Sequence, residues 1–133
     1  MARYSIPLTH RPTRDGEVVK TAHMPGHTVL ELSNHALIAA LKDACGTELD
    51  PMTLAVVGLS AEFGKEAFVG DTEWDVTISR IGSSSMTVEI DVLQGGERVV
   101  HLSQTFVRTS ADRTGSQPFS PEQREGLSTL LTS

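Results

Sequence analysis

Two periods of apolar residues divide this chain. From Ala36 to Ala44 the apolar positions recur at helical spacing, and after Pro51 they recur at every second residue. Ser33 or Asn34 can cap the first run, Ala36 to Ala44 are mostly good helix formers, and Gly46 stops them, so the pattern predicts a helix over residues 33–46. On that helix Leu37, Ile38, Leu41 and Cys45 share one broad face while Ala36, Ala40 and Asp43 lie along another. An alanine stripe beside an aliphatic one implies neighbours on more than one side.

Residues 53–108 read as antiparallel strands. Ala55, Val57, Leu59, Ala61 and Phe63 alternate with Val56, Gly58, Ser60 and Glu62, Trp74, Val76 and Ile78 alternate with Glu73, Asp75, Thr77 and Ser79, and Met86, Val88, Ile90 and Val92 face inward opposite Thr87, Glu89 and Asp91. The Gln94-Gly95-Gly96-Glu97 turn then leads to a strand from Arg98 to Arg108. Turns this short between long strands demand antiparallel neighbours. Ahead of the helix, residues 1–32 hold a strand from Tyr4 to Thr9, a turn over Arg11 to Gly16, a second short strand from Glu17 to His23, and a loop. Residues 109–133 form a polar tail in which Ser120-Pro121-Glu122-Gln123 starts a helix from Pro121 to about Leu131. The expected fold is one α+β domain over residues 1–133, a curved antiparallel β-sheet wrapped around one long central helix.

Composition narrows the function classes. An apolar fraction of 38% and a charged fraction of 21% suit a folded globular domain, and a formal charge of -6 leaves no general footprint for nucleic acid. No apolar run is long enough to span a membrane, and the start of the chain lacks the apolar centre of a signal peptide, so a cytoplasmic protein without membrane contact is expected. Cys45 is the only cysteine, which excludes an intramolecular disulfide and suits a small buried residue. The histidines at 10, 23, 27, 35 and 101 show no compact metal spacing, so no metal is expected.

Several local strings resemble the hot-dog fold of the 4-hydroxybenzoyl-CoA thioesterase family. They are Leu59-Ser60-Ala61-Glu62-Phe63, then Val69-Gly70-Asp71-Thr72 opening a strand, then Arg80-Ile81-Gly82-Ser83-Ser84-Ser85-Met86-Thr87-Val88-Glu89, with Phe119-Ser120-Pro121-Glu122 as the closing helix start. The resemblance covers about residues 33 to 131. It implies hydrolysis of an acyl-CoA or related acyl thioester without a cofactor, CoA being part of the substrate. Hot-dog folds also host dehydratases and proteins that bind acyl chains without turning them over, so the site has to be argued separately.

Thioester hydrolysis needs an activated water or a carboxylate nucleophile, and donors for the developing oxyanion, which free N–H groups at a helix start supply. Phenylacetate-pathway thioesterases open the helix with His-Gly-Gly and carry a carboxylate nine residues after the histidine. This chain resembles them with Asn34-His35-Ala36 at the opening and Asp43 in the acid position, which implies Asp43 as base or nucleophile with Asn34 and His35 at the carbonyl. An acid in the last helical turn also opposes the macrodipole, a mild cost that use in a site would explain. A solvated acid next to Lys42 explains it as well.

The other branch of the family places an aspartate ahead of the helix, in Asp-x-x-Gly-His. Here His23-Met24-Pro25-Gly26-His27 stands near that place without the acid, leaving Glu31 and His27 as further candidates. His23-Met24-Pro25-Gly26 also resembles the His-x-Pro-Gly string of hydroxyacyl-ACP dehydratases, which makes dehydration through His23 an alternative, although the matching helix region holds Leu37 or Ala39 in place of a glutamate. Arg80, Gly82, Ser83, Ser84 and Ser85 lie where related thioesterases contact pantetheine or phosphate, and hydroxyls, turn N–H groups and a guanidinium suit phosphate oxygens. A single hot-dog leaves a sheet edge and one side of its helix uncovered, so a homodimer with sites between subunits is expected, and a homotetramer is the next assembly.

Overall fold

The computed structural model describes residues 1–10 and 22–132. Strand β1 (Ala2–Leu8) precedes helix α1 (Gly26–Cys45), a 3-10 turn (Pro51–Thr53), strands β2 (Leu54–Phe63), β3 (Gly70–Ile81), β4 (Ser85–Gln94) and β5 (Glu97–Arg108), and helix α2 (Pro121–Ser128). All neighbouring strands are antiparallel, in the order β1-β3-β4-β5-β2. The concave face of this sheet holds α1, which is the hot-dog arrangement. The expected turn over residues 11–16 and most of the strand expected over 17–23 lie outside the described residues.

Alternation built the middle of the sheet as expected. Trp74, Val76 and Ile78 of β3 and Met86, Val88, Ile90 and Val92 of β4 are buried, and they meet Val100, Leu102 and Phe106 of β5 in one core under α1. The outer face is polar, with His101 of β5 between two acids of β4, its Nδ1 2.7 Å from Asp91 and its Nε2 3.3 Å from Glu89.

α1 departs from the expected 33–46 span, because it starts at Gly26. Cap-type residues at 33 and 34 suggested a boundary, but Val29, Ser33, Ala36, Leu37, Ala40 and Leu41 are all buried, so the apolar stripe facing the sheet continues through them. Ser33 does not cap: its hydroxyl donates to the Leu30 carbonyl at 2.5 Å within the helix. Ile38, expected on the buried face, is exposed, whereas Ala36 and Ala40 are covered.

β2 also departs from simple alternation. A bulge between Val56 and Gly58 shifts its register against β5, so that Leu54 before it and Ala61 after it both pack on the core. Among the described residues β2 pairs only with β5 and forms an edge of the sheet, and Val56, Val57, Leu59 and Phe63 on it are exposed. α2 begins as expected with a capping box between Ser120 and Gln123, but ends at Ser128. It crosses the end of α1 closely, since a Cβ at Gly126 would stand 2.6 Å from the Ala44 carbonyl oxygen.

Candidate active site

The start of α1 is the part of the fold best arranged for chemistry at a carbonyl. Pro25 holds extended backbone ahead of the helix and, as the N-cap residue, makes no side-chain cap to the first turn. The Thr28 and Val29 N–H groups turn back to the Pro25 carbonyl at 3.1 and 3.5 Å, which leaves the N–H groups of Gly26 and His27 ahead of the helical ladder. These donors sit at the positive end of a helix of 20 residues. Gly26 permits a close approach, because a Cβ there would lie 3.3 Å from the Phe63 ring at the end of β2.

A cleft of about 490 Å³ opens at this point, lined by His23, Met24, Gly26, Phe63, Glu66 and Ala67 among others. Phe63 is 48% exposed there. Two backbone hydrogen bonds, Met24 N–H to Ala67 O at 2.9 Å and Val69 N–H to Ala22 O at 2.8 Å, bind the segment before α1 to the segment after β2. Between them His23 bridges to Phe68, and the His23 Nδ1 comes 2.6 Å from a Glu66 oxygen. Lys65 on the same rim is ion-paired with Glu97.

The residues expected to form the catalytic set do not meet. Asn34 and His35 are exposed midway along α1 and not at its start, so neither can share the free N–H groups of the first turn. Asp43 lies in the last turns of α1, about 26 Å along the helix from Gly26 at 1.5 Å per residue. Its carboxylate accepts a hydrogen bond from the Tyr4 hydroxyl at 2.6 Å. Burial, reinforced by that bond and the charge of Asp43, holds the Tyr4 phenol above its ordinary pKa. Tyr4 belongs to β1, the sheet edge opposite β2, so Asp43 is turned to the side of the molecule away from the cleft. Of the further candidates, His27 is exposed in the first turn and Glu31 is half-buried one turn on. Cys45 is buried, its thiol raised above its ordinary pKa by burial and then by Glu48, which makes it part of the core and not a nucleophile.

Arg80 and the Gly82–Ser85 turn gather at the other end of the sheet. Gly82 N–H donates to the Ser85 carbonyl at 2.7 Å, and a Cβ on Gly82 would crowd the Ser85 hydroxyl at 2.8 Å. The carbonyls of Ser83 and Ser84 accept from Phe119 N–H and Arg108 N–H, at 3.0 and 2.7 Å. The structure adds two cations that sequence reading missed. Arg124 of α2 donates to the Gly82 carbonyl at 2.7 Å, and Arg108 of β5 donates to the Pro118 carbonyl at 2.6 Å. Nothing local in the sequence marks Arg124, since its position depends on where α2 docks. Among the described residues no group of three or more His, Cys, Asp or Glu side chains is arranged to hold a metal ion, and no helix is long and apolar enough to cross a membrane.

An α+β sheet closed on one helix, with an uncapped helix start at a cleft, defines a hot-dog protein. The sequence profile of the thioesterase superfamily matches residues 26–101, and the chain belongs to that superfamily. This supports acyl thioester hydrolysis as its general chemistry. No curated protein matches the sequence. Among solved structures, a predicted thioesterase from Bacillus stearothermophilus superposes with a TM-score of 0.80 at 17% identity, over 99% of this chain and 98% of that one. A thioesterase from Thermus thermophilus, complexed with coenzyme A and Zn, gives 0.80 at 17% identity over 96% and 92%. A 1,4-dihydroxy-2-naphthoyl-CoA thioesterase from Synechocystis gives 0.76 at 14% identity over 96% of each. These likenesses show the hot-dog fold.

The position of Asp43 gives a direct prediction. Asp43→Asn is expected to leave thiol release from an acyl thioester within about twofold of wild type, as for a surface change away from the reacting atoms. A steady-state assay of free thiol checks this, and a loss of a hundredfold would return Asp43 to the site.

Proposed function

We propose that this chain hydrolyses acyl-CoA thioesters, with the first-turn N–H groups of Gly26 and His27 polarising the thioester carbonyl. The observation that carries this reading is the uncapped start of α1, opening on a cleft beside the exposed ring of Phe63. Charge developing on the carbonyl oxygen is stabilised most where donors are already aimed and the helix dipole is positive. The apolar ring offers a surface for the acyl group.

The working unit is a homodimer built through β2. β2 runs from the serine turn toward the start of α1: Leu54 pairs with Arg108, whose N–H donates to Ser84, while Phe63 lies against Gly26. Within one protomer these two ends are separated by roughly the length of β3, about 36 Å at 3.3 Å per residue. Antiparallel pairing of two β2 edges across a two-fold axis brings the serine turn of one protomer toward the α1 start of its partner. Phosphates held at Arg80, Arg124 and the serine turn of one protomer then let the pantetheine arm reach the carbonyl site of the other.

Release of free thiol from a panel of acyl-CoA esters tests the reading. Binding of CoA esters without thiol release would instead identify a noncatalytic acyl-thioester-binding protein, and formation of an enoyl product from a hydroxyacyl thioester would identify a dehydratase. Arg80→Ala and Arg124→Ala are each expected to raise KM about five- to tenfold with little change in kcat, as for loss of one charge-assisted contact to phosphate. The effect shrinks as salt is raised, because both guanidinium groups are reached by solvent.

A further inference from the structure

A strip of exposed apolar side chains leads away from the carbonyl site along β2. We infer that this strip holds a straight aliphatic acyl chain, so that the substrates are thioesters of medium to long fatty acids, an inference that rests on the thioesterase reading. Val56, Leu59 and Phe63 are 54%, 49% and 48% exposed. All three point to the α1 side of the sheet, because residues paired across antiparallel strands share a face and their partners on β5 are the buried Phe106, Gln104 and Val100. Two contacts identify that face: Phe63 lies against Gly26, and Gln104 Nε2 donates to the Ser33 hydroxyl of α1 at 3.3 Å.

The bank of the strip is the β2-facing side of α1. Asp43 marks the other side, since its carboxylate is bonded to Tyr4 of β1 at the opposite sheet edge. At about 100° of turn per residue, Ile38 lies about 140° round the helix from Asp43 and Asn34 about 180°. Ile38 is exposed and leads into a pocket of about 360 Å³ that Leu49, Pro51 and Lys42 also line. One apolar path thus runs from Phe63 past Leu59 to Ile38. His27, Glu31 and Asn34 make the nearer part of this helix side polar, so the chain rests on β2 there. In the proposed dimer the partner's β2 pairs through backbone groups in the plane of the sheet, which leaves the face turned to α1 for the chain.

The dimensions favour a chain over a single ring. Leu59 is four residues from Phe63, about 13 Å at 3.3 Å per residue, and Ile38 is twelve residues from Gly26, about 18 Å at 1.5 Å per residue. A staggered hydrocarbon chain advances about 1.25 Å per carbon, so about ten carbons reach Leu59 and about fourteen reach Ile38. A one-ring aryl group ends beside Phe63 and leaves the rest of the strip wet. Burial of each further methylene on the strip improves kcat/KM by up to about fourfold.

The test measures thiol release by wild type, Leu59→Trp and Ile38→Trp from butanoyl-, decanoyl- and tetradecanoyl-CoA and from benzoyl-CoA, with thermal melts and light scattering to follow fold and assembly. Wild-type kcat/KM is expected to climb with chain length and to exceed that for benzoyl-CoA on both longer esters. Leu59→Trp lowers the ratios of decanoyl and of tetradecanoyl to butanoyl kcat/KM at least about tenfold, since a large ring then blocks the path partway. Ile38→Trp, which leaves β2 unaltered, lowers the tetradecanoyl ratio and keeps the decanoyl ratio. A lost fold or a lost dimer lowers every ester alike, so the ratios isolate the path. Wild type that is indifferent to chain length or prefers benzoyl-CoA, or losses equal across the panel in both variants, overturns the inference, leaves the thioesterase reading standing and assigns the strip to contact between copies. Wild type that releases no thiol from any ester overturns both.

Discussion

Lysine at both Val57 and Leu59 is expected to yield a folded protomer with at least about a hundredfold lower kcat/KM, the scale of loss when a substrate is no longer positioned. Both side chains are exposed on β2, Val57 by 62%, and among the described residues the strand has one hydrogen-bonded neighbour. In the proposed dimer each lysine comes near its copies in the partner, so the change removes apolar contact and adds like-charge repulsion. The core is untouched, because Leu54 and Ala61 are the β2 residues that pack on it. Light scattering should report monomers and circular dichroism an unchanged sheet. A monomer with full activity would show that one chain holds the whole site. A persistent dimer would place the interface elsewhere.

Trp74→Ala should cost about 3–5 kcal/mol, the range for removing a buried large aromatic, and lower the melting temperature by roughly 10–20 °C. Trp74 is fully buried on β3, between Tyr4 of β1 and Val92 of β4 in the ladder. Its indole N–H donates to the Thr72 hydroxyl at 2.8 Å, which in turn donates to the Ile6 carbonyl at 2.5 Å, so the ring also helps bind β1 to the sheet. Chemical denaturation checks the figure. Thr72→Val separates the two contributions, since it keeps the ring but leaves a buried indole N–H unpaired, and about 1–3 kcal/mol of the loss should appear there.

The parts legible in the sequence were those governed by near neighbours along the chain. Period-2 burial on β3 and β4 and the capping box at Ser120 follow from local backbone geometry. The start of α1 was not legible at Ser33, because a serine that can cap is equally content to bond Leu30 inside a helix once Val29 and Ala36 are buried around it. Nor was the bulge in β2, whose extra residue is visible only against the register of β5.

The candidate site divides the same way. Chain order alone placed His23 three residues ahead of Gly26, which only the fold shows to open α1, and local spacing put Arg80 beside a serine turn. It also made Asp43 look suitable, because spacing along a helix does not say which side of the helix meets a cleft, and Tyr4 of the far edge strand holds that acid away from it. Glu66 beside His23 and Arg124 beside Gly82 are contacts between segments distant in sequence. Strand pairing and the docking of α2 create them, and neither is encoded within any one stretch. The sequence by itself therefore determined which elements form and the composition of their apolar faces, since those depend on period and capping. Only the tertiary structure decided which polar groups share a cleft, because that depends on long-range register and on the side of the helix each group occupies.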